Sequence, residues 1–151
     1  MRFTGGTCLR KCYFPGYRFS EDLDFTATRS IASEELSDWV TQIAEWSTDQ
    51  ARPDFLAAPL RLEVVEDEYG QESFQIRVYY RGPLRWGGSP RAIRLDITRD
   101  EQLIWPAEDR PLVHAYSDRN ELEAVTVPCY TLLEVLSEKV RAVCGQRPYH
   151  V

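Results

Sequence analysis

The sequence predicts a mixed α+β domain, with a mostly antiparallel sheet and helices at its flanks. Three observations predict it. Apolar residues recur at helical spacing in three separate segments. Period-two alternation fills the middle of the chain. The length, 151 residues, suits one domain with a core of its own.

The elements follow in order. A first helix is expected over about 6–14, beginning at Gly5-Gly6-Thr7. A short strand over 22–27 puts Leu23, Phe25 and Ala27 on one face. The second helix covers about 33–50, where Leu36, Trp39, Val40 and Ile43 recur at spacings of three and four. Trp39 and Trp46 lie seven residues apart on that helix and are expected in the core. Strands over 60–65 and 73–80 flank the turn-like Glu66-Asp67-Glu68-Tyr69-Gly70, which reads as a hairpin. Tyr79 and Tyr80 serve one face of the second strand each. Residues 92–98 alternate again, with Ile93, Leu95 and Ile97 on one side. Further strands are expected at 112–116 and 123–127. The last helix covers about 131–145. Thr131 and Glu134 make a capping-box pattern there. Leu133, Leu136, Val140 and Val143 form a stripe expected to be buried, with Glu134, Glu138 and Arg141 pointing away.

Composition is that of a soluble globular protein, 43% hydrophobic and 28% charged. No apolar run is long enough to span a bilayer, and no signal-peptide pattern opens the chain, so the expected compartment is the cytoplasm. Net charge is −6, from 24 acidic and 18 basic residues, which argues against broad nonspecific nucleic-acid binding. Arg2, Arg10, Lys11 and Arg18 nevertheless gather in the first eighteen positions. Cys8, Cys12, Cys129 and Cys144 include no Cys-x-x-Cys pair, which argues against a structural zinc site. Cys8 and Cys12 stand one helical turn apart and are expected to pack as small hydrophobes. His114 and His150 are isolated, and no catalytic or metal role is expected of them.

The chemistry concentrates in "FTGGTCLRKCYFPGYRFSEDLDF", residues 3–25. Asp22 and Asp24 project from one face of their strand. Taken alone, they read as an exposed acidic strand end. With a third carboxylate they become a site for a hard divalent cation. Asp96, in "AIRLDIT", is the candidate for that third group, if its strand pairs beside 22–27; otherwise it pairs with Arg94 on a solvated face. Glu63 is an alternative. Gly5 and Gly6 allow close approach of a ligand to the main chain, and a helix start there is an anion site to which Thr7 adds a hydroxyl. In isolation they read as a plain strand-to-helix turn with a threonine cap. Together, a phosphate cradle and three carboxylates are what nucleotidyl transfer from a nucleoside triphosphate requires.

Those residues carry a resemblance. The segment 3–25 resembles the opening signature of the AbiEii/AbiGii (MenT-like) nucleotidyltransferase toxins, a branch of the DNA polymerase β-like superfamily. The match is Gly5, Gly6, Thr7, Arg18, Ser20, Asp22 and Asp24. "IRLDIT" resembles the strand bearing the third carboxylate, with Asp96 matching. "LLEVLSEKVRAV" resembles a later helix through Glu138, Lys139, Arg141 and Ala142.

The resemblance implies a nucleotidyltransferase fold and a toxin of a toxin–antitoxin or phage-defence pair. It implies Mg²⁺ held by Asp22, Asp24 and Asp96. It also implies triphosphate contacts from Gly5, Gly6, Thr7, Ser20 and Lys139, an RNA acceptor such as tRNA, and a separate antitoxin as partner. The chain departs from the family pattern at both ends: a helical segment before the Gly-Gly motif and helices after Lys139 are missing. The expectation is therefore a truncated member, one domain over 1–151, with impaired activity and apolar edges through which copies associate. Two alternatives stand beside this reading: transfer to a small-molecule or protein hydroxyl, and an inactive domain that serves as a protein-binding module.

Overall fold

Alternation in the central strands dictates a sheet with one apolar face to bury. In the computed structural model of the protein, which describes residues 1–51, 53–66, 72–84, 88–99, 103–113 and 125–144, that face is covered by the first two helices. The strands are β1 (Arg2–Thr4), β2 (Asp22–Thr26), β3 (Arg61–Glu66), β4 (Glu72–Tyr80), β5 (Arg91–Thr98), β6 (Glu108–Pro111) and β7 (Thr126–Cys129). The helices are α1 (Gly5–Cys8), α2 (Ser33–Gln50) and α3 (Leu132–Cys144). The seven strands form one sheet in the order β3-β4-β5-β2-β1-β7-β6. Pairing is antiparallel except for β2 with β5 and β1 with β7. The expected α+β architecture is thus observed.

The apolar face builds two cores. Under α2, Leu36, Val40 and Ala44 meet Phe74, Ile76, Val78 and Ile97. Each large side chain buried there contributes about 1.5–3 kcal/mol. At the other end Phe3 packs with Cys8, Cys12 and Cys129. Phe25 touches both groups and stacks on Phe3 at 5.0 Å.

Several elements differ from expectation. The first helix is a single α-turn that passes into a π-helical turn over Leu9–Tyr13. α2 has the expected bounds but is rotated. Ala44 is buried where Ile43 was expected, and Ile43 and Trp46 are exposed. Trp39 is half-buried against the core, with the Arg29 guanidinium 5.2 Å from its ring. Strands form at Glu108–Pro111 and Thr126–Cys129; of the strands expected at 112–116 and 123–127, residues 114–116 and 123–124 lie outside the described residues. The turn at 67–70, His114 and His150 lie outside the described residues.

The largest difference is in α3. Glu134 and Val135 are buried, while Leu133, Leu136, Val140 and Val143 are exposed, the reverse of the expected orientation. The reason lies in the face that α3 meets. Glu138 of α3 contacts Thr4, and Tyr130, just before the helix, contacts Thr26. Both partners belong to the polar face of the sheet, opposite α2. At 100° per residue, turning Glu134 and Glu138 inward turns the 133/136/140/143 stripe away.

Candidate active site

Register decides which side chains share the polar face. Asp24 pairs with Asp96 across β2 and β5, and Asp22 pairs with Arg94. Cross-strand partners point the same way, so Asp22, Asp24 and Asp96 project together. Thr4 extends the Asp24–Asp96 row on β1, and Gln75 and Glu63 extend it on β4 and β3. Glu63 is therefore on the right face but separated from Asp96 by a whole strand.

The three carboxylates act on one another. Burial, and then the charges of Asp96 and Asp22, raise the Asp24 pKa, against a lowering pull from Lys139. Burial and Asp22 raise that of Asp96, against Arg94. Oδ1 of Asp22 is buried without a hydrogen bond among the described residues; Arg94 Nη1 stands 3.9 Å from it, beyond hydrogen-bonding reach. Crowded oxygens with raised proton affinity and an unsatisfied lone pair are a donor set suited to a hard divalent cation.

The glycines are fitted to the carboxylates. Gly5 has φ +73°, and a Cβ there would lie 1.8 Å from Asp24 Oδ2. A Cβ on Gly6 would lie 2.9 Å from Ser20 Oγ. The Gly5-Gly6 turn and the Ser20–Asp24 segment are thus pressed together. The hydroxyl of Thr7 donates to the main-chain oxygen of Asp22 at 2.6 Å, so its proton fixes the strand. Arg10 donates to the main-chain oxygen of Tyr17 and lies over the Phe19 ring at 4.0 Å, which puts positive charge on the loop between Gly6 and Ser20.

α3 brings Lys139 to the site. The residue is exposed, yet its ammonium acts on Asp24. One helical position earlier, Glu138 accepts a hydrogen bond from Thr4 at 3.3 Å. The helix is anchored by Glu134, whose Oε2 accepts from the amides of Ile104 and Trp105 at 3.2 and 3.1 Å. Half of the expected capping box is present: Thr131 Oγ1 accepts from the Glu134 amide at 3.3 Å, while the Glu134 carboxylate turns to Ile104 and Trp105 instead of back to Thr131.

A profile described as nucleotidyl transferase AbiEii toxin, type IV toxin–antitoxin system, matches residues 1–150. The chain belongs to the AbiEii toxin family. No curated protein and no solved structure matches it significantly. Membership makes the sheet a nucleotidyltransferase fold and the protein a toxin-type nucleotidyltransferase, and a type IV system implies a cognate antitoxin. Among the described residues, no helix is long and apolar enough to cross a membrane.

Sequence reasoning missed two groups on this AbiEii face. Arg61, Arg77 and Arg94 pair in one row across β3, β4 and β5, ending at Asp22. An open cleft of about 200 Å³ runs between Asp22, Arg77, Arg94 and Asp96. The signal for this row existed, since each arginine alternates with apolar neighbours, but pairing it needed the register. Tyr130 is the second: fully buried, its hydroxyl meets Thr26 Oγ1 at 2.6 Å and closes the polar face behind the carboxylates.

Proposed function

We propose that the protein transfers a nucleotidyl group from a nucleoside triphosphate to a hydroxyl of an RNA acceptor. Asp22, Asp24 and Asp96 would hold Mg²⁺. The cation would neutralise the triphosphate and the charge that develops on the leaving group.

The chain's own residues do the rest. Gly5, Gly6, Thr7 and Ser20 would receive the triphosphate; the two glycines let their turn close onto Asp24 and Ser20, so phosphates held there would lie next to the carboxylates. Lys139 adds a positive charge beside Asp24. Asp96 takes the proton of the attacking hydroxyl. The hydroxyl oxygen bonds to the α-phosphorus, the bond from that phosphorus to the β-phosphate oxygen breaks, and pyrophosphate leaves.

The observation that carries this reading is the pairing of Asp24 with Asp96, with Asp22 on the same face and Gly5 in contact with Asp24. The arginine row favours a polyanionic acceptor over a small neutral one, despite the net charge of −6.

The test is incubation with each α-labelled nucleoside triphosphate, Mg²⁺ and total RNA, beside protein and small-molecule acceptors. Label is expected in RNA, and in none of the acceptors with Asp22→Asn or Asp24→Asn. Calorimetric triphosphate binding that ignores both Mg²⁺ and these substitutions would overturn the reading.

A further inference from the structure

On the opposite face of the sheet, three cysteines meet. Cys8 ends α1, Cys12 lies in the π-helical turn and Cys129 ends β7. Their Sγ atoms all lie within 4.8 Å of one another. Each is buried, with exposures of 0%, 2% and 0%. None is in a disulfide. Three ligands arranged around one ion at about 2.3 Å stand about 4 Å apart, so the sulfurs are nearly at ligand spacing. Among the described residues the group holds no fourth His, Cys, Asp or Glu.

A cation stands beside them. The Arg110 guanidinium lies over the Tyr13 ring at 4.5 Å, and Tyr13 packs against the cysteines. Arg110 is near enough for its charge to act on Cys12 and Cys129, behind the larger effects of the neighbouring thiols and of burial. Its Nε is buried with no hydrogen-bond partner among the described residues, and it forms no ion pair with a carboxylate there. A partly buried guanidinium with no carboxylate paired to it among the described residues suits a neighbouring cluster that bears net negative charge.

We propose that Cys8, Cys12 and Cys129 bind one thiophilic d¹⁰ cation in three-coordinate form, with Cu(I) as the ion of matching chemistry. Three thiolates and one Cu(I) carry a net charge of −2, which faces Arg110. Soft sulfur ligands select such an ion, whereas structural Zn(II) takes four ligands. The bound ion ties the segment that follows Gly5-Gly6, through Cys8 and Cys12, to Cys129 of β7, which already pairs with Phe3 of β1. Binding would displace the thiol protons to solvent, with no change of oxidation state.

The experiment uses the full chain with Cys144→Ser, which removes the exposed thiol. Cu(I) is supplied anaerobically from a chromogenic chelator, and uptake is read from loss of the chelate's colour. One ion per chain is expected, with a rise in Tm. Cys129→Ala and Cys8→Ala, each checked for cooperative unfolding, should weaken uptake at least about 100-fold. Failure to take Cu(I) from the chelator, uptake unchanged in both variants, or Zn(II) binding as tight as Cu(I) would each overturn the proposal.

Discussion

Asp24 occupies the space that a side chain on Gly5 would need: a Cβ there would fall 1.8 Å from its Oδ2. The positive φ of Gly5 adds a second constraint, because an L side chain is strained in that conformation. Gly5→Ala is therefore expected to cost about 1–3 kcal/mol from the backbone alone. It should also displace Asp24 by about an ångström, which lowers transfer roughly 100-fold. Gly82 has open space around it, so Gly82→Ala should change neither Tm nor activity. Thermal melts and transfer assays of the pair check this.

The carboxylate cluster works against folding at neutral pH. The folded-state pKa of Asp24 is raised by burial and by its two neighbours, above an ordinary value of 3.8. Its stability contribution is complete below that ordinary value and is lost as pH rises through the raised one. With chelator present, Asp24→Asn should thus have a higher Tm than the wild type at pH 7. The advantage should vanish as pH falls below the ordinary value, where both side chains are neutral. Melting curves across that range, with and without chelator, decide the matter. Saturating Mg²⁺ should reverse the order at pH 7.

The arginine row should act on the acceptor and leave the nucleotide alone. Arg61→Gln and Arg77→Gln are expected to weaken RNA binding. Each should lower the slope of log K against log salt by about 0.7 for a single strand. Triphosphate affinity measured without RNA should stay unchanged. A salt titration of the double variant, with an unaltered slope, would remove the row from the acceptor site.

Lys139 is exposed, so its loss should not disturb the fold. If it meets a phosphate beside Asp24, Lys139→Met should raise KM for the triphosphate by about tenfold, which is about 1.4 kcal/mol. Tm should stay within about 2 °C, since surface changes rarely exceed about 0.5 kcal/mol in either direction. Steady-state kinetics with a parallel melt separates the two effects.

Glu134 holds α3 to the loop that contains Ile104 and Trp105. Glu134→Ala would leave two amides without an acceptor, at about 1–3 kcal/mol each. Glu134→Gln keeps an acceptor oxygen and should lose less. Hydrogen exchange at the amides of Ile104 and Trp105 is expected to quicken in the first variant and not in the second.

Much of the site was legible because it is local. The alternation of Asp22-Leu23-Asp24 puts two carboxylates on one side of any strand. The Gly-Gly-Thr turn and the Asp-x-Asp strand lie within one segment. The hydrophobic period alone located α2 and the strands β3, β4 and β5, because apolar spacing follows directly from backbone geometry. The Asp96 assignment needed one further fact, that β5 lies beside β2, in parallel register. The π-helical turn after Cys8 left no such trace, since a single wider turn changes the spacing by one residue only.

The sequence by itself determined the α+β class, put Asp22 and Asp24 on one side of a strand behind a Gly-Gly turn, and offered Asp96 as a candidate third carboxylate. The tertiary structure decided the orientation of α3, the alignment of Arg61, Arg77 and Arg94, and the meeting of Cys129 with Cys8 and Cys12. Periodicity reports which residues share a face of one element. It does not report which face of the sheet that element will cover, or which distant strand will pair beside it. Those choices depend on contacts between residues far apart in the chain, and they exist only once the sheet has assembled.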